Sequence, residues 1–225
     1  MMLLHHYRVK MMFFLDFVEI VWKRGGIEAI GTFTMVMFGC GSVAMERTNL
    51  EISLAFGIGV ALVIVTIGRW TGAHINPAVS IAFRYRGDLS SKDTVAHVLG
   101  QLLGALCAGV LLNGAGPTIR NTTWLNLIGI EIVITFLLMA SILMIIRQTE
   151  RWIPIALVVG SSVAVLAFGF GRYTGASMNP ARTFGPNLVS GDIALIPIYF
   201  VCTIFGAMLA VVVERLIAST SEQPA

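Results

Sequence analysis

Asn76 and Asn179 are the residues whose type and setting first suggest chemistry. Each opens an Asn-Pro-Ala tripeptide, Asn76-Pro77-Ala78 and Asn179-Pro180-Ala181, within apolar surroundings. Asn is a favoured helix N-cap and Pro is favoured at the first helical position, so each tripeptide marks a helix start. A helix start presents unpaired N–H groups and the positive end of the macrodipole. While the amide oxygen caps its helix, the NH2 group still offers donors to the oxygen of a passing molecule. Arg182 stands three residues after Asn179, in the first turn of the second short helix, where the dipole disfavours a cation. An arginine at the centre of a membrane helix costs about 2.5–3.5 kcal/mol on insertion scales. A water-filled constriction is the natural compensation. The chemistry on offer is therefore hydrogen bonding and charge exclusion, not bond making. No Gly-rich phosphate loop, Cys/His metal spacing or nucleophile motif accompanies these residues, so no enzyme, cofactor or metal centre is expected. Gly39-Cys40-Gly41 sits in an apolar run and reads as packing.

The elements that position these residues come in duplicate. Gly68–Ala78 and Gly171–Ala181 agree at eight of eleven positions. Under the same offset of 103 residues, Glu28-x-x-x-Thr32-Phe33 recurs as Glu131-x-x-x-Thr135-Phe136. The chain is 56% hydrophobic and 12% charged, with a mean hydropathy of +0.85, whereas soluble domains are about a quarter charged. Apolar runs near 26–45, 52–70, 94–113, 124–147, 153–171 and 193–217 approach the length that crosses a bilayer. The stretches 76–84 and 179–189 are too short to cross. Non-helical backbone cannot face lipid, so both boxes must fold inward. The expected fold is an all-α membrane protein of six transmembrane helices and two re-entrant half-helices in an inverted repeat. Its expected parts are an amphipathic N-terminal segment 1–25, repeats 26–113 and 124–217 joined by a loop 114–123, and a tail 218–225.

Six spans put both termini on one side. With that side cytoplasmic, Arg8, Lys10, Lys23, Arg24, Arg69, Arg84, Arg86, Lys92, Arg147, Arg151 and Arg215 lie inside. Only Arg47, Arg120, Arg172 and Arg182 lie outside, an asymmetry that favours cytoplasmic termini. Three spans per half invert the second repeat, so the two half-helices enter from opposite faces and meet near mid-membrane. The spread of the cations along the chain argues against nucleic acid as a partner. Residues 1–25 lack a small-residue cleavage site, and Phe13, Phe14, Phe17, Val21 and Trp22 recur at helical spacing, as in a helix lying on a membrane surface. His5 and His6 read as exposed tail residues. Cys40, Cys107 and Cys202 are odd in number and intramembrane, which argues against a disulfide framework.

The paired boxes, the second extended as Ser177-Met178-Asn179-Pro180-Ala181-Arg182, resemble those of the aquaporin (major intrinsic protein) family over about residues 26–217. The resemblance implies a passive pore for water and small uncharged solutes that excludes ions and protons. It also implies a homotetramer in a plasma or inner membrane. Arg182 then belongs to a narrow filter whose other positions fall, by family spacing, on Phe56, Ala167 and Ala176. A water-selective member usually carries His where Ala167 stands, and a glycerol facilitator usually carries Gly with two aromatics in the ring. Phe/Ala/Ala/Arg is neither, and predicts a wider, less water-exclusive opening unless Phe168 or Phe170 refills it. Thr183, short outer loops, Tyr199 and Phe200 are closer to the water channels and keep a strictly water-selective reading open. Glu28 and Glu131 are expected to brace the box loops, with proton relay in a coupled transporter as the alternative. His74 is expected to line or brace the inner vestibule. A junction protein with a vestigial pore is the remaining reading.

Overall fold

The computed structural model describes residues 18, 19 and 21–221. Eight α-helices account for most of them: α1 Gly26–Ala44, α2 Asn49–Thr71, α3 Pro77–Arg86, α4 Ser91–Leu111, α5 Trp124–Gln148, α6 Trp152–Thr174, α7 Pro180–Ser190 and α8 Ile196–Ser221. Local chemistry fixes many of the starts. Thr48 and Glu51 form a reciprocal capping box on α2, and Ser90 and Thr123 cap α4 and α5 through their hydroxyls. Both α2 and α6 end on left-handed glycines, Gly72 at φ 81° and Gly175 at φ 76°. These equivalent stops release the chain into the two box loops.

Among the described residues six helices are long and apolar enough to cross a membrane, at Trp22–Ala44, Asn49–Thr71, Ser91–Leu111, Trp124–Gln148, Trp152–Thr174 and Ile193–Thr220. The helices α3 and α7, of 10 and 11 residues, are too short. The first span begins earlier than the sequence suggested. Val21–Gly25 is a π-helical turn that continues into α1, and α4 packs so closely there that a Cβ on Gly100 would stand 2.0 Å from the Gly25 carbonyl oxygen. Phe13, Phe14, Phe17, His5 and His6 lie outside the described residues, as do residues 222–225 of the tail. The last helix runs four residues beyond the expected end at 217.

Small residues let the helices close. A Cβ on Gly57 would stand 2.5 Å from the Gly160 carbonyl oxygen, and one on Gly160 would stand 2.6 Å from that of Gly57. These positions are related by the repeat offset, so a pseudo-twofold axis passes through the α2–α6 crossing. Gly185 of α7 likewise lies against the Ala105 carbonyl of α4, at 2.1 Å from a notional Cβ. Between membrane helices such approach replaces a hydrophobic driving force with dispersion contact. The outer surface stays apolar, with Val165, Val201 and Leu125 among its exposed side chains.

One face gathers the ends of α3, α5 and α8. Arg86 Nε and Nη2 donate to the Glu214 carboxylate at 2.8 and 3.0 Å, and Arg147 Nε approaches it at 3.4 Å. Arg215 Nη2 donates to the Tyr85 carbonyl at 2.8 Å. Three of the cations assigned to the inner side thus share one face.

Candidate functional site

Each box loop hangs from a buried carboxylate. Glu28 on α1 accepts from Thr71 Oγ1 at 2.6 Å, His74 N at 3.1 Å, Ile75 N at 2.6 Å and Gln101 Nε2 at 2.7 Å. Glu131 on α5 accepts from Thr174 Oγ1 at 2.7 Å, Ser177 N at 3.0 Å and Met178 N at 3.0 Å. Both acids are fully buried, a position carboxylates hold only when paired or saturated with donors. The braces hold an unusual backbone. Ala73, Ile75, Ala176 and Met178 all adopt positive φ, between 42° and 53°. For β-branched Ile75 that region is a true outlier, costing on the order of 1–3 kcal/mol.

The strained loops bring the two helix starts into contact. Asn76 Oδ1 accepts from Ala78 N at 2.9 Å, and Asn179 Oδ1 from Ala181 N at 2.9 Å, so both cap their helices. Asn76 Nδ2 donates across the axis to the Met178 carbonyl at 2.7 Å, and Asn179 Nδ2 donates back to the Ile75 carbonyl at 2.8 Å. Each amide nitrogen bears two hydrogens, and the crossed pair uses one apiece. Equivalent hydrogen bonds stiffen each loop, between His74 Nδ1 and Ser80 Oγ at 3.1 Å and between Ser177 Oγ and Thr183 Oγ1 at 2.6 Å.

A cavity of about 800 Å³ runs from Asp88, Leu89 and Glu150, in the α3–α4 and α5–α6 connections, past His74, Asn76 and Asn179. Phe56, Ala167, Ala176 and Arg182 line its other end. The wall between is apolar, formed by Val60, Ile64, Leu138, Val159 and Val163 among others. Arg182 Nη1 donates to the Gly116 carbonyl at 2.7 Å, and its guanidinium carbon lies 4.9 Å from the centroid of the Phe56 ring. Its Nε makes no hydrogen bond to a described residue. Phe56 in turn rests on Gly39, where a Cβ would stand 2.1 Å from the ring edge. Phe168 does not refill the space beside Ala167, since it points outward and is half exposed. Phe170 packs against the core and is absent from the cavity wall.

The major intrinsic protein family profile matches residues 18–214. The chain belongs to that family. Family members are channels, not enzymes. This major intrinsic protein is 35% identical to Aquaporin-4 of Mus musculus over 210 residues, covering 84% of this chain and 65% of that one. It is 34% identical to a probable NIP-type aquaporin of Nicotiana alata, covering 91% and 81% respectively. It is also 34% identical to the lens fiber major intrinsic protein of Ovis aries, over 84% of this chain and 78% of that one. Among solved structures the aquaglyceroporin from Plasmodium falciparum superposes with a TM-score of 0.76 at 23% identity, covering 85% and 93%. That match shows the aquaporin fold.

Several residues of this site escaped the sequence reading. Gln101 supports both Glu28 and Ser80, at 2.7 and 3.0 Å, yet its repeat equivalent is Ile204, so duplication gave no signal. Buried His97 packs edge-on against His74, with ring centroids 5.0 Å apart. Cys40, read as plain packing, also points its Sγ at the Gly116 carbonyl at 3.5 Å. Tyr199 and Thr183 are braces: Thr183 bonds Ser177, and the single Tyr199 hydroxyl proton is shared between the Thr174 and Ile119 carbonyls, 2.5 and 2.7 Å away. Among the described residues no three His, Cys, Asp or Glu side chains converge as metal ligands.

Proposed function

We propose that this chain is a passive channel for water and small uncharged solutes of glycerol size, closed to ions and protons. One observation carries the reading: two helix starts crossed at Asn76 and Asn179 inside a cavity that leads to Arg182. The free amide hydrogens orient a passing oxygen, and two positive dipole ends repel cations at the same point. Arg182 adds a full positive charge where Phe56, Ala167 and Ala176 line the cavity. With Ala167 and Ala176 opposite, the wall there is small and apolar. That supports passage of a solute with a hydrocarbon side as well as water.

Glu28 and Glu131 serve as scaffold in this reading, because their oxygens are occupied by donors from the loops. That occupancy speaks against the proton-coupled alternative. The chain works as a homotetramer with a pore in each subunit and with both termini cytoplasmic, in a plasma or inner membrane. The charge asymmetry of the connections supports that orientation, and the family resemblance supports the assembly. The test is osmotic swelling of proteoliposomes with a size series of water, glycerol and larger polyols. Fast water and glycerol flux without ionic current is expected. Water flux with glycerol no faster than empty liposomes would favour a strictly water-selective channel. Water flux equal to that of empty liposomes would overturn the reading.

A further inference from the structure

The Gly116 carbonyl that anchors Arg182 belongs to the α4–α5 connection, which Cys40 touches at Gly116 and Tyr199 at Ile119, and which Asn187 holds from behind at Thr118. Asn187, on the last turns of α7, grips both backbone groups of Thr118. Its Oδ1 accepts from Thr118 N at 2.8 Å and its Nδ2 donates to Thr118 O at 3.1 Å. The Thr118 hydroxyl adds a third bond to Asn187 Oδ1 at 3.0 Å, and Asn187 and Thr118 are both fully buried. Between this clasp and Gly116 stands only Pro117, whose ring fixes φ and makes the link stiff. Gly116 is itself confined. It adopts φ 71°, and a Cβ there would lie 3.0 Å from Cys40.

We propose that Asn187 is a specificity-setting positioning residue. It fixes the strap from Thr118 to Gly116, and the strap holds the Arg182 guanidinium against the wall beside Phe56. The inference rests on the channel reading above. Asn187 touches neither the cavity nor the solute, since it is absent from the cavity wall. Its influence passes through the carbonyl. A short neutral amide suits this task because it supplies one acceptor and two donors in a single plane, matching a peptide N–H and C=O on the same residue. With the clasp lost, the Gly116 carbonyl drifts and Arg182 is free to lean into the opening. A glycerol-sized solute then meets an obstruction that single-file water passes.

The experiment is Asn187→Ala in the full-length protein, reconstituted and measured for water and glycerol permeability in parallel. The glycerol-to-water ratio is expected to fall by about threefold or more, within the range of coupling between neighbouring residues. In an Arg182→Val background the same substitution should leave the ratio of that background unchanged, because the group it acts through is gone. Should Asn187→Ala fail to assemble, Pro117→Gly loosens the same strap and should lower the ratio in the same direction. An unchanged or raised ratio, a proportional loss of both fluxes, or an undiminished effect without Arg182 overturns the inference while the channel reading stands. Wild-type protein no more permeable than empty liposomes overturns both.

Discussion

Glu131→Gln isolates the brace under the second box. The wild-type carboxylate accepts two bonds on Oε1, from Thr174 Oγ1 and Ser177 N, and one on Oε2, from Met178 N. In its better orientation glutamine keeps the first two and turns its NH2 group toward the Met178 N–H. That loses a bond to a charged group, about 1.5–3 kcal/mol, and strands a buried donor, about 1–3 kcal/mol. The two costs overlap, so roughly 2–5 kcal/mol is expected. Met178 sits at φ 53° and relaxes once its N–H is released. For a chain of this size each kcal/mol moves the melting temperature by about 2–4 °C, so Tm in detergent should fall by roughly 4–20 °C. Water permeability should fall too, because the Met178 carbonyl is the acceptor for Asn76. A Tm within about 1 °C of wild type, with unchanged swelling, would refute the brace. Loss of pH-driven uptake at unchanged Tm would instead make Glu131 a proton relay.

Four further substitutions probe the site and the packing around it. Arg182→Val should admit small cations or protons, seen as ionic current across planar bilayers; unaltered ion tightness would count against charge exclusion at that end. Ala167→His should narrow the opening and cut glycerol flux more than water flux, and equal losses would contradict a wide filter. Gly160→Val drives a side chain into the Gly57 carbonyl, 2.6 Å from the new Cβ, and should destabilise by about 1–3 kcal/mol. Gly26→Ala, with nothing within 4 Å of the new atom, should leave Tm near wild type.

Much of this was readable in the chain because the fold is written twice. Repeat spacing joins Glu28 to its box as it joins Glu131, and both braces form. Asn-Pro spells out two helix starts in the language of caps, and both appear as caps. What stayed hidden is what breaks the symmetry. Gln101 faces Ile204 across the repeat, and Asn187 faces Arg84, so no duplication pointed to either. Their value depends on which backbone group a distant loop presents, and no local pattern records that. Gly39 was hidden for another reason. A glycine in a membrane span always reads as packing, and only the structure shows that it seats the Phe56 ring. The first span begins at Trp22, inside the expected N-terminal segment, because hydropathy does not mark where an amphipathic stretch turns into a span.

The crossed amides have a consequence for how such a chain comes into being. Among the described residues Asn76 Nδ2 finds its acceptor at Met178 and Asn179 Nδ2 at Ile75, each in the opposite repeat. Half of the chain made alone would carry a strained, carboxylate-hung loop with a polar tip and nothing to receive it. Each repeat thus completes the polar tip of the other, and neither box loop is fully satisfied by its own half of the chain.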